Sequence, residues 1–202
     1  MKLTALIILT LPLAAQNLTV TAPPTAKPGS SIQLRIDHNV PGAAAAQWVV
    51  LPPAANWITG QPTGQPAGKI AQCREAVPRR CLVGALNKAN NAAMPAGAIA
   101  SIPLVIPHGT APGNYSLSIG ELYVSDANGG DLPSTPIAAT IRVLSKYDVT
   151  GPAGVPDGIV DERDTAWIAN ATLEASLCGD CVGPQWRVHD LVIAAVQVAL
   201  NQ

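Results

Sequence analysis

The chain contains no phenylalanine, and its four tryptophans and three tyrosines bring aromatic residues to only 3 % of 202. A core must therefore be assembled from aliphatic side chains, and a sugar-stacking platform has few rings to draw on. Charge is equally sparse: Asp, Glu, Lys and Arg make up 12 %, with a net charge of −1. That balance leaves no electrostatic footprint for nucleic acid or for an anionic membrane surface. The three histidines, His38, His108 and His189, lie in separate segments with no serine or cysteine elbow nearby, so hydrolase machinery lacks its parts. His38 and His108 are expected at strand ends as hydrogen-bonding turn residues. Glu75, Asp126 and Asp131 carry no spacing that sets two carboxylates at the separation glycoside hydrolysis needs. The expectation is a protein that is not an enzyme.

Long apolar runs are also missing, except at the start. In MKLTALIILTLPLAAQ, Lys2 supplies a positive end, Leu3 to Leu13 an apolar stretch, and Ala14 and Ala15 the small residues before a cut. Residues 1–15 thus read as a secretory signal peptide; a retained anchor is the alternative, although the run is short for crossing a bilayer. The remainder is expected to be exported, soluble and without a membrane span. Export makes the four cysteines disulfide candidates with three possible pairings. Cys73 with Cys81, and Cys178 with Cys181, is preferred because each pair is close in sequence and lies within one proposed domain. Reduced buried thiols are the alternative. The CGDC run at Cys178–Cys181 lacks the βαβ setting of a redox pair, and with distant His189 it is too thin for zinc.

What the chain has in quantity is turn chemistry, with 19 prolines and 17 glycines. From Leu18 to Leu144 short β-rich runs alternate with Pro/Gly/Asn turns. Candidate strands are Asn17–Ala22, Ser31–Asp37, Ala46–Leu51, Lys69–Cys73, Arg80–Leu86, Ile99–Ile106, Tyr115–Ile119, Leu122–Ser125 and Ala138–Leu144. In Ser31–Asp37 the residues Ile32, Leu34 and Ile36 share one face. Many short strands at this spacing predict a β-sandwich or barrel over residues 16–145. PPTAKPG after the first strand reads as a turn, and Asn87–Pro95 as a polar loop.

After Ser145 and Lys146 the strand pattern stops, and residues 146–202 form a second, helical unit. One helix is expected from Asp161 to about Leu173, with Trp167, Ile168 and Ala171 at helical spacing. A second is expected from about Val188 to Leu200, with Val188, Leu191, Val192, Ala195 and Ala199 along one stripe. Two helices this short need a staple, which small units usually obtain from metal or disulfides.

The strongest local pattern is Asp157-Gly158-Ile159-Val160-Asp161-Glu162-Arg163-Asp164. In an EF-hand-type loop, oxygen ligands come from positions 1, 3 and 5, a backbone carbonyl from position 7 and a carboxylate from position 12, with glycine at 6. Asp157 at position 5 makes Gly158 the turn glycine, Ile159 the carbonyl donor, Val160 the core residue and Asp164 the closing carboxylate. An insertion across Gly151–Pro156 then brings Asp148 and Thr150 to positions 1 and 3. These five residues are the expected ligands of one Ca²⁺, a hard cation that oxygen clustering suits. In the plainer alternative, Asp157 is a turn residue and Asp164 caps a helix start.

KYDVTG followed by PDGIVDERDTAWI and a second loop and helix resembles a dockerin, a duplicated calcium-loop-and-helix module, over about Tyr147–Gln202. In the second repeat Asp190 stands for the closing carboxylate and Trp186 for the core residue, but Cys181 and Gly183 fall where oxygen ligands belong. The resemblance implies recognition of a cohesin through the two residues before each closing carboxylate: Glu162 and Arg163, Val188 and His189. A solvated helix face is the alternative for Glu162 and Arg163. VTAPPTAKPGSSIQLRI, IPHGTAPGNYSLSI and LYVSDANGGDLP resemble a cohesin, a secreted jelly-roll-like sandwich, across about Gln16–Ser145.

Together these readings predict a mainly β protein: a cohesin-like sandwich with a small α-helical dockerin-like module. The expected role is a secreted, non-catalytic assembly or adaptor module, linked to extracellular polysaccharide degradation. Its partner would be another extracellular protein, cohesin- or dockerin-bearing, or its own sandwich in cis. The alternative is a carbohydrate-binding sandwich, with Trp57 near a Pro-rich turn as the stacking ring and Trp48 buried in its apolar strand. Asn-x-Ser/Thr matches at Asn17, Asn114 and Asn170 are read as chance.

Overall fold

The computed structural model describes residues 16–54, 56–74, 79–85, 90–151, 154–177 and 186–200. Residues 1–15, expected as a signal peptide, together with Glu75, Cys178 and Cys181 lie outside the described residues. Among the described residues, eleven strands are followed by two helices: β1 (Asn17–Thr21), β2 (Thr25–Ala26), β3 (Ser31–His38), β4 (Ala45–Leu51), β5 (Ile58–Thr59), β6 (Ile70–Cys73), β7 (Arg80–Gly84), β8 (Gly97–Val105), β9 (Gly113–Ser125), β10 (Thr135–Ile137), β11 (Ala139–Val143), α1 (Glu162–Leu177) and α2 (Val188–Leu200). The strands form a five-stranded sheet in the order β10-β1-β3-β8-β5 and a six-stranded sheet in the order β2-β11-β9-β4-β7-β6. The two sheets pack face to face because their inward positions are aliphatic at a period of two. Ile32, Leu34 and Ile36 of β3 oppose Ala46, Trp48 and Val50 of β4 in one buried cluster. Trp48 is fully buried and fills the space that phenylalanines would otherwise occupy.

Three strands were not legible in the sequence. PPTAKPG does not merely turn: its Thr25 and Ala26 pair in parallel with Arg142 and Val143, so the N-terminal segment crosses from one sheet to the other. β5 and β10 are equally short edge strands, whose pairing depends on the neighbour and not on their own pattern. Conversely, the expected strands Tyr115–Ile119 and Leu122–Ser125 are one strand, β9. Glu121 sits at φ 45°, and the β4 register slips between Gln47 and Val49 opposite it. Such a bulge moves the inward positions from Leu117 and Ile119 to Val124. The broken alternation made one strand look like two.

Cys73 and Cys81 face each other across β6 and β7 and form a disulfide, which closes the hairpin at the sheet edge. Lys69, just before β6, is 8 % exposed, and its ammonium donates to the carbonyls of Ala44 (2.8 Å), Asn90 (3.1 Å) and Ala92 (2.6 Å). This cation knits the Asn90–Met94 loop to the start of β4, and burial pushes its pKa down.

A second, small core lies beyond β11. Tyr147, Val160, Ile168 and Ala194 are buried together, with Trp186, Leu191 and Val198 packed on them. α1 runs four residues past the expected Leu173. The inward face of α2 is not the expected stripe. Asp190, Leu191, Ala194, Gln197 and Val198 turn inward, while Val188, Val192, Ala195 and Ala199 face solvent. The apolar residues surround α2 almost completely, so periodicity did not choose the face; Leu191, Ala194 and Val198 pack into the small core beside Asp190. Among the described residues, no helix is long and apolar enough to cross a membrane.

Candidate functional site

The tail is organised by backbone amides that converge on two carboxylates, Asp148 and Asp164, both fully buried. Asp148 Oδ1 accepts from the Asp157 amide at 3.1 Å, and Oδ2 from the Gly158 amide at 2.7 Å. Asp148, expected at position 1, thus meets the backbone of Asp157 and Gly158, expected at positions 5 and 6. Gly158 has φ +92°, the left-handed conformation its turn requires. Asp164 Oδ1 accepts from Val149 (2.7 Å) and Thr150 (2.8 Å), and Oδ2 from Asp161 (2.9 Å). Asp161 in turn accepts the Arg163 amide at 2.8 Å, so Asp161 and Asp164 cap α1 reciprocally. Asp157 turns its carboxylate to the Ile159 amide at 2.9 Å.

The capping function offered as the plainer reading is therefore present, in addition to the convergence. Burial pushes the Asp148 carboxyl above the usual carboxylate range. The Gly158 and Asp157 amides pull it down, while the neighbouring charges of Asp164 and Asp157 add to the rise. No lysine or arginine pairs with Asp148, Asp157 or Asp164 among the described residues. Nor do three or more His, Cys, Asp or Glu side chains there form a ready cluster for a metal. The expected donors, the Asp148, Asp157 and Asp164 carboxylates with the Thr150 hydroxyl and the Ile159 carbonyl, are all oxygens of the kind a hard cation takes, but each Asp148 and Asp164 oxygen here accepts a backbone amide. Val160 is buried as the loop's core residue, and the Ile159 side chain points outward, leaving its backbone to the loop.

Glu162 and Arg163 on the first turn of α1, and Val188 and His189 on the first turn of α2, are all exposed. Arg163 lies 3.7 Å from Asp161. The tail also touches the sandwich: Arg142 of β11 donates to the Gly158 carbonyl at 2.9 Å, and Ser145 donates to Gln197 at 3.2 Å. A cleft of about 440 Å³ runs between them, floored by Arg142, Val143 and Leu144.

Trp57 is corrected as a stacking ring. It is 3 % exposed and packs on Tyr115 with ring centroids 5.1 Å apart, so it belongs to the core and offers no face to a sugar. His38 and His108 are end-of-strand residues, as expected. His38 Nε2 bonds the Pro95 carbonyl at 2.8 Å, and the His108 ring lies against Gly29. Asp126 is spent on its own turn, accepting from Asn128 and Gly130 at 2.8 Å each.

Sequence reasoning named no sandwich surface, and the structure offers one. Gln72, Leu82, Gln47 and Tyr123 are cross-strand neighbours in a row over β6, β7, β4 and β9. Leu82 is 44 % and Tyr123 61 % exposed, with a depression of about 360 Å³ beside them lined by Gln47, Gln72, Arg74 and Arg80. The sequence did hold a signal: Leu82 stands out of phase between buried Cys81 and Val83.

No protein-family model matches this chain, and no curated protein matches it. Solved structures do. A cohesin module of a family 33 glycoside hydrolase from Clostridium perfringens aligns over its whole length with 66 % of this chain, at 13 % identity and TM-score 0.54. The sandwich has a cohesin-like fold. A chain of a type I cohesin–dockerin complex from Clostridium thermocellum is also covered entirely, by 65 % of this chain, at 12 % identity and TM-score 0.54. A non-cellulosomal cohesin from the hyperthermophilic archaeon Archaeoglobus fulgidus is covered over 94 % of its length by 66 % of this chain, at 14 % identity and TM-score 0.53. At such identities the cohesin-like sandwich is a likeness of fold.

Proposed function

We propose that this chain is an exported, non-catalytic assembly module of the cohesin–dockerin kind, working in extracellular polysaccharide breakdown. The cohesin-like sandwich displays the Gln72–Leu82–Gln47–Tyr123 face to an extracellular protein. The tail is a dockerin-like hairpin with one Ca²⁺ held by Asp148, Thr150, Asp157, the Ile159 carbonyl and Asp164. The ion supplies positive charge among carboxylates that otherwise repel, and so stiffens the start of α1, which carries Glu162 and Arg163, beside the start of α2 with Val188 and His189. Pre-organisation of this sort lowers the entropic cost of docking. Three of the solved neighbours come from cohesin–dockerin complexes, which supports a partner of that type.

The observation that carries the reading is the meeting of Asp148 with the Asp157 and Gly158 amides across the insertion. It supports reading Asp148 as the first residue of the loop despite the insertion. The experiment is capture from the exported proteins of the source culture on the immobilised full chain, in calcium and in EGTA. A partner retained in calcium, and lost with Leu82→Glu or with EGTA, is expected. Retention of no protein, or retention indifferent to both changes, refutes the proposal. Calorimetric titration of Ca²⁺ into the same chain tests the ion separately.

A further inference from the structure

The two helices of the tail begin alike. Asp164 and Asp190 are each the third residue of their helix, and each turns Oδ2 back to the amide three residues earlier, Asp161 at 2.9 Å and Arg187 at 3.1 Å. The remaining oxygens differ. Asp164 Oδ1 collects the Val149 and Thr150 amides, whereas Asp190 Oδ1 receives the Lys146 ammonium at 3.2 Å. Lys146 is positioned for this. Its neighbour Tyr147 is buried, and the ammonium sits 4.5 Å from the centre of the Tyr147 ring. His189 Nε2 is the other basic group near that oxygen, at 3.6 Å. The second loop meanwhile has Cys181 and Gly183 where a hard cation would need oxygen donors.

We propose that the Lys146 ammonium takes the place of a second divalent cation at Asp190. The inference rests on the dockerin-like reading of the tail and refines it. One half of the hairpin takes its positive charge from solution, through the Asp148–Asp164 loop; the other carries it on a side chain. The start of α2 is then held at any calcium concentration, while the start of α1 responds to the ion.

Calorimetric titration of Ca²⁺ into the full chain, with amide exchange at residues 188–191 measured in EGTA, tests this. The wild type is expected to take up one ion and to keep its α2 protection in EGTA. Lys146→Met is expected to lose about threefold of that protection, the size of a partly exposed ion pair, with Lys146→Arg restoring it. Uptake of two ions by the wild type, or unchanged α2 protection in Lys146→Met, overturns the proposal. If the wild type takes up no ion but Lys146→Met still loosens α2, the calcium reading of the first loop fails and the lysine's role at Asp190 stands.

Discussion

Replacing Asp164 with alanine should melt the tail and leave the sandwich standing. The side chain is fully buried and accepts three backbone amides, from Val149, Thr150 and Asp161. Hydrogen bonds to a charged acceptor contribute about 1.5–3 kcal/mol each. Val149, Thr150 and Asp161 are only half-buried, so water recovers part of the loss, and about 3–5 kcal/mol is the reasonable total. A unit of roughly 55 residues has about 3–8 kcal/mol of stability in all. Here its own core is four buried side chains. The substitution should therefore unfold most of the α1–α2 hairpin at 25 °C. Both α-helices among the described residues belong to the tail, so the far-UV signal at 222 nm reads it directly. The melting of the sandwich, followed through buried Trp48, should change little. Asp164→Asn, which keeps one oxygen, should fall between the two. If Asp164→Ala keeps nine-tenths of the helical signal in EGTA, the carboxylate is not the node that joins loop to helix, and the reasoning fails.

Lys69→Met should destabilise the sandwich by about 2–3 kcal/mol, because the fully buried Ala44 loses its carbonyl's charged donor while Asn90 and Ala92 can turn to water. For a chain of this size that lowers Tm by about 5–10 °C, a shift that thermal denaturation resolves. Gly158→Ala should cost about 1–2 kcal/mol in backbone strain and also push back the Arg142 guanidinium, which would lie 2.5 Å from the new methyl. Gly154→Ala, in the same loop with φ +73° but nothing within 4 Å, isolates the strain alone; equal effects of the two on tail melting would count against the Arg142 contact. The Asp148 carboxyl is held above its ordinary range in the fold. Its contribution to stability is then complete below the ordinary aspartate range and is lost as pH rises through the elevated value. In EGTA the Asp148→Asn variant should lack this decline, and a wild-type tail that loses no stability over that window relative to the variant would contradict the assignment.

The order of elements was legible because strand alternation and helical spacing are local properties. Ser31–Asp37 reads as a half-buried strand from Ile32, Leu34 and Ile36 alone, one residue short of β3 as observed, and about Val188–Leu200 reads as a helix. The turn glycine Gly158 and the helix-start carboxylate Asp164 were legible for the same reason, since their spacing is short and uninterrupted. Asp148 was reachable only by assuming an insertion. Trp57 could not be placed, because a ring beside a turn faces the core or the solvent according to what packs on it, and Tyr115 lies 58 residues away in the chain.

The amino-acid order by itself determined the strand-rich first part, the helical last part and the spacing from Gly158 to Asp164; it preferred the Cys73–Cys81 pairing, which the structure decided. Tertiary structure decided which sheet each short edge strand joins, which face of α2 turns inward, and which cation reaches Asp190. Those choices depend on partners distant in sequence, such as Thr25 with Arg142 and Lys146 with Asp190. Local patterning carries no information about a neighbour that only folding brings near.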